Sequence, residues 1–144
     1  MEANFADDED VYLPRELIES CVVDSIDPFT SDQVIDGKLA RTGKFFAGCD
    51  LGLSIDRSAV GVVQKRAPDM DLVYVTAFPQ GTIFSHVTGY LNLLNQRLRT
   101  LSRIYIDETG LGEFFVQDAI ATGLKNALGI HLSLPEKQEI MGVL

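Results

Sequence analysis

The chain has 144 residues, 46% of them hydrophobic and 23% charged, enough for one domain with a buried core and too apolar for disorder throughout. Its net charge of −9 is concentrated at one end: residues 1–40 carry 11 acidic and 2 basic side chains, and residues 41–144 carry 10 of each. An acidic total ordinarily argues against a nucleic-acid partner, but here the argument reaches only the first 40 residues. Two cysteines, Cys21 and Cys49, with no CxxC, argue against a zinc site and for a reducing compartment. Glu2, Asp7, Asp8, Glu9 and Asp10 stand where a secretory signal would need basic and apolar residues. No apolar run approaches the ~20 residues of a membrane span. The expectation is a soluble, cytosolic protein with no membrane contact.

Residues 1–40 read as an acidic lead-in. Pro14 in front of Leu17, Ile18, Cys21 and Val22 predicts a short helix. Asp27-Pro28 and Asp36-Gly37 then mark a loop. The domain proper is expected over residues 41–144. Residues 45–50 and 58–64 predict two strands joined by a glycine-bearing loop, 67–71 a turn, and 72–78 a third strand. Short connections make these an antiparallel meander. Ile83, Phe84, Val87, Tyr90, Leu91, Leu94 and Leu98 recur at helical spacing. Residues 104–106 predict a short buried strand, Phe114, Phe115, Ala119 and Ile120 a second helix ending at Gly123, residues 130–132 a fifth strand, and Pro135 the start of a last helix. The order is β-β-β-α-β-α-β-α, an α/β fold. A helical crossover after the meander places the fourth strand beside the first and parallel to it.

That topology brings Asp50 and Asp107 together at the carboxyl ends of neighbouring strands. Two close carboxylates repel, and each resists ionisation unless a cation lies between them. Hard oxygen ligands select Mg²⁺ or Mn²⁺. Asp56, in the loop after the first strand, is the third candidate ligand and Glu108 the fourth. Each also has a plain structural reading: aspartate before glycine is a common turn former, Asp56 suits a loop cap, and Glu108 suits a helix start. Gly110 and Gly112 permit either a tight turn or a phosphate at the helix N-terminus. His86 and His131 are lone histidines, more often structural than catalytic. Ser54, Ser58 and Cys49 lack a general base. No GxxxxGK[ST] is present, so the chain carries no P-loop. Arg97, Arg99 and Arg103 suit either a phosphate backbone or a solvated helix face.

Three segments taken together resemble the nuclease domain of phage terminase large subunits: Gly48-Cys49-Asp50-Leu51-Gly52 with Asp56-Arg57-Ser58, the run Ile104 to Gly112, and Ile130-His131-Leu132-Ser133 ahead of Lys137. The lead-in from Phe5 to Val22 is similar to the segment joining that family's ATPase to its nuclease. The resemblance implies an RNase H-like mixed sheet, a three-strand antiparallel meander plus parallel strands, flanked by helices. It implies a metal-dependent DNA endonuclease cutting viral DNA during genome packaging in the host cytoplasm. Asp50 then matches the first-strand metal ligand, Asp107 the fourth-strand ligand, and Asp56 an acidic position in the intervening loop, with Mg²⁺ or Mn²⁺ as cofactor. Implied partners are double-stranded DNA, a terminase ATPase domain, the small terminase subunit and the portal. The family's third main carboxylate lies on a later helix, so the expectation is a C-terminally truncated domain whose isolated chain need not be active. Two rival readings are a phosphate-binding fragment of an actin-like or sugar-kinase ATPase, and a non-catalytic docking domain of a packaging assembly.

Overall fold

Alternation along the strands decides which face of the sheet is sealed. The computed structural model describes residues 14–20, 22, 43–52, 56–109 and 112–143, with side chains as far as residue 140. A short helix α1 (Arg15–Ser20) lies in the lead-in, where one was expected, and the rest of that expected linker falls outside the described residues apart from Pro14 and Val22. In β1 (Lys44–Asp50) Phe45, Ala47 and Cys49 are buried, and in β2 (Ala59–Arg66) Val60 and Val62 share their face. Tyr74 of β3 (Asp69–Ala77), Ile104 and Ile106 of β4 (Leu101–Asp107) and Ala127 of β5 (Ala127–Ile130) complete it.

Two helices close that face. Val87, Leu91, Leu94 and Leu98, spaced four, three and four apart, bury the apolar stripe of α2 (Phe84–Arg97) and its C-cap residue. Phe115, Val116 and Ala119 of α3 (Gly112–Ala121), with Leu124 behind them, join the same core. The last helix, α4 (Leu134–Val143), begins with the glutamate half of a capping box. The backbone N–H and hydroxyl of Ser133 both donate to Glu136 Oε2, at 2.8 and 2.6 Å, and these bonds hold the Glu136 carboxyl below its usual range. The two helices over the core and the α4 start agree with the sequence expectation.

The strand order is β3-β2-β1-β4-β5. β1 and β2 pair antiparallel, as do β2 and β3, while β4 runs parallel to β1 and β5 parallel to β4. The meander, the crossover and the placement of the fourth strand are as expected, and the sheet is the RNase H-like mixed α/β type. Several strand boundaries differ, and β4 begins at Leu101 rather than at Ile104. Residues 69–71 are strand rather than turn, because Asp69 and Asp71 pair with Arg66 and Gln64 and an Arg66–Asp71 ion pair of 2.6 Å fastens the corner. The fifth strand is Ala127–Ile130, so His131 and Leu132 lie beyond it.

The opposite face of the sheet is bare among the described residues. Phe46, Val63, Tyr105 and Ile130 are half-buried there, and Leu72, Val75 and Leu128 are 57%, 59% and 48% exposed. Parallel pairs are usually covered on both faces. No described helix is long and apolar enough to cross a membrane.

Cys49, on the sealed face, is buried and its thiol is pushed up to about 12, first by burial and then by the charge of adjacent Asp50. A thiol so protonated is a poor nucleophile. Alkylation with iodoacetamide at pH 8, followed by peptide mapping, is expected to leave Cys49 unmodified in the folded protein and to label it in denaturant. Rapid labelling of the native protein would contradict this burial.

Candidate metal site

The β1–β4 ladder ends on Cys49 beside Ile106, so Asp50 and Asp107 are the next residues on two adjacent parallel strands. Neighbouring strands lie roughly 4.8 Å apart, and side chains alternate in direction along each. Cys49 and Ile106 point into the core, so Asp50 and Asp107 both point away from it, at the carboxyl edge of the sheet. Ala59 flanks Asp50 on β2 and Ile130 flanks Asp107 on β5. The pairing expected from topology is present.

Asp107 is held in place by Thr109. Its Oδ1 accepts from the Thr109 backbone N–H at 2.9 Å and from the Thr109 hydroxyl at 2.6 Å. The turn-forming role open to Asp107 is therefore real, and it uses one oxygen of two. The carboxyl sits below its ordinary range, chiefly through the Thr109 hydroxyl. Partial burial opposes the shift, while the Thr109 amide and the positive charges of Lys137 and His131 add to it. Asp107 thus favours its ionised form, whereas repulsion within the acidic pair predicts resistance to ionisation.

A carboxyl depressed in the folded state contributes stability above its unfolded pKa, near ~3.9 for aspartate, and loses it as pH falls through the folded value. Thr109→Val removes the hydroxyl bond and is expected to raise the Asp107 pKa, read from its carboxyl carbon by NMR titration. An unchanged titration would show that Thr109 does not set it.

The loop between β1 and β2 is drawn shut by Ser58. Its buried Oγ accepts the Gly52 N–H at 3.1 Å. A side chain at Gly52 would meet the Asp56 carbonyl carbon at 2.6 Å, so glycine is required for this close approach. Asp56 is exposed in that loop, while residues 53–55, Ser54 included, lie outside the described residues. Among the described residues no group of three or more His, Cys, Asp or Glu side chains is assembled as a metal cage.

Other candidates separate from the pair. Glu108 packs onto Gly129, where any side chain would collide with its carboxylate. Gly129 pairs with core-facing Ile106, so Glu108 lies on the sealed side, away from Asp50 and Asp107. Gly112 stacks directly on the Asp107 carbonyl, a packing role, and Gly110 lies outside the described residues. Arg97 ends α2, Arg99 follows it, and Arg103 lies near the start of β4, so all three sit at the amino edge of β4, the far end from Asp107. His86 is exposed on α2. Sequence reasoning misses Thr109, whose D-x-T spacing is an Asx-turn signal.

Two carboxylates at one strand edge fit a single hydrated Mg²⁺ or Mn²⁺, which takes one or two carboxylates and fills its other positions with water or phosphate oxygens. They do not fit a pair of ions, whose charge calls for more acids. No protein-family profile matches the chain, and no curated protein matches it. Among solved structures, the large terminase of a thermophilic bacteriophage superposes on 64% of this chain and 24% of its own, with a TM-score of 0.54 and 12% identity. The chain shares its fold with a phage large terminase. At that identity the terminase likeness speaks for the fold alone, and the chain spans about a quarter of the terminase's length, 24%.

Proposed function

We propose that the chain is a metal-dependent DNA endonuclease domain of terminase type, with Asp50 and Asp107 as the residues that would hold Mg²⁺ or Mn²⁺. The observation that carries this reading is the placement of those two aspartates side by side on adjacent parallel strands. When bound, the ion supplies charge neutralisation at a scissile phosphodiester. Thr109 fixes the orientation of Asp107 and draws its carboxyl below the ordinary range. Asp56 is the third acid, reached from the loop that Ser58 closes. The substrate is double-stranded DNA, cut during packaging in the host cytoplasm, and the partners are a terminase ATPase domain, the small terminase subunit and the portal.

Incubation with supercoiled plasmid tests the reading. Conversion to open circles in millimolar Mn²⁺ and none in EDTA is expected. Nicking that persists in EDTA, or no nicking at any Mn²⁺ concentration, would remove it. The bare sheet face bearing Leu72, Val75 and Leu128 favours a second reading, a docking domain in a packaging assembly. Absence of metal binding by calorimetry, with the fold intact, would favour it.

A further inference from the structure

The open face of the sheet carries a pattern that the fold itself does not use. Gly48 and Gly61 stand opposite each other on β1 and β2, in a row completed by Val75, Tyr105 and Leu128. A side chain at Gly48 would meet nothing within 4 Å, and one at Gly61 would come no closer than 3.6 Å to Leu72 Cδ1. No described neighbour requires either glycine, although glycine weakens a strand. Glycine inside a strand commonly marks a place where something else approaches the backbone closely. Phe46, Val63 and Leu72 form the next row, on the amino side of this trough along β1.

Charge divides along the same face. Lys44 and Lys65 are direct partners across β1 and β2 at one end, and Arg103 stands beside Phe46. Like charges placed opposite each other destabilise a ladder, so this end calls for an anion. Among the described residues none of the three cations has an ion-pair partner, and all are exposed. Asp50 and Asp107 close the opposite end of the face. A nucleic acid would suit the cations but not the exposed Leu72, Val75 and Leu128 between them and the acids.

We propose that this face is the interface between two copies of the chain, stacked sheet on sheet about a two-fold axis running across the strands. Such an axis reverses strand direction and keeps strand order, within the twist of aligned stacked sheets. Phe46 and Val63 then enter the glycine trough of the other copy, and Arg103 lies over the ring of the partner's Tyr105. Lys44 meets the partner's Asp50, and symmetry repeats each contact. A surface basic at one end, acidic at the other and apolar between is complementary to itself, as an isologous interface requires. Five strands and the length of β1 give a face of roughly 24 by 20 Å, small for a specific interface, so the dimer is a weak one. The inference does not rest on the nuclease reading. Where Asp50 also holds an ion, that ion and the second copy compete for it.

Sedimentation equilibrium of the full chain, without divalent ions, tests the proposal. Wild type is expected to dimerise with a dissociation constant between about 1 μM and 1 mM. Leu72→Asp, at an exposed position, and Gly48→Val, which fills the trough, should each weaken the dimer at least about tenfold. Lys44→Glu and Asp50→Lys should each do the same, about tenfold or more, and the double variant should restore the dimer. Matching far-ultraviolet spectra exclude misfolding as the cause. Wild type that stays monomeric at about 1 mM would overturn the inference, whatever else covers the face. So would a dimer that Leu72→Asp and Gly48→Val leave intact, or charge reversals that the double variant does not rescue. Plasmid nicking with Mn²⁺ is scored separately: its absence removes the nuclease reading and leaves the dimer untouched.

Discussion

Asp107→Ala is expected to lower manganese-dependent plasmid nicking by at least ~100-fold, and Asp50→Ala to do the same. Removing groups that merely orient metal ligands costs roughly 10- to 100-fold, and removing a ligand costs no less. Either substitution leaves one strand-end acid, with Asp56 of the loop, to hold the ion. The double variant should be little worse than each single one, because groups that act as a unit are not additive. Asp50 is exposed and Asp107 half-buried at the strand edge, so thermal melts should move little, apart from the turn that Asp107 makes with Thr109. Activity within a few-fold of wild type in both variants would show that the chemistry lies elsewhere.

Ile106→Ala should cost the fold about 2–5 kcal/mol, read by urea unfolding. Ile106 is wholly buried in the core that α2 and α3 cover, one residue before Asp107. Against a total stability of roughly 5–15 kcal/mol, that is a large share. Phe114→Ala supplies the contrast. Phe114 is 70% exposed on α3 despite its size, and its truncation should stay within about 0.5 kcal/mol. Equal effects of the two would mean that the helices do not pack on the sheet as described.

Much of this is legible in the sequence because it depends on local periodicity. Alternation in β1 and β2, the four-and-three spacing of α2 and the glycine-bearing loop each report a face or a turn, and together they place the fourth strand beside the first. From that, the meeting of Asp50 and Asp107 follows without any knowledge of side-chain contacts. What stays hidden has tertiary causes. Gly129 breaks the apolar run of β5 because Glu108 needs the space above it, and so the sequence places that strand three residues late. Asp69 and Asp71 look like turn residues, but Arg66 balances Asp71 at an edge strand. The Arg97, Arg99 and Arg103 cluster is real in sequence and lies at the far end of β4 from Asp107, which only the direction of that strand reveals. Ser133-x-x-Glu136 is a readable capping box; its consequence, an acid engaged beside Lys137, requires the bond itself.

In the proposed site Asp50 and Asp107 hold one divalent ion, and the lead-in is the strongest competitor for it, since residues 1–40 carry 11 acids of their own. Paramagnetic line broadening by trace Mn²⁺ separates the two. Amide signals of Gly48 to Leu51 and Ile106 to Thr109 should broaden first and together, and Asp50→Ala should abolish the effect at both strand ends. Broadening confined to residues 1–40, with both strand ends untouched, would place the ion on the lead-in and not on the aspartate pair.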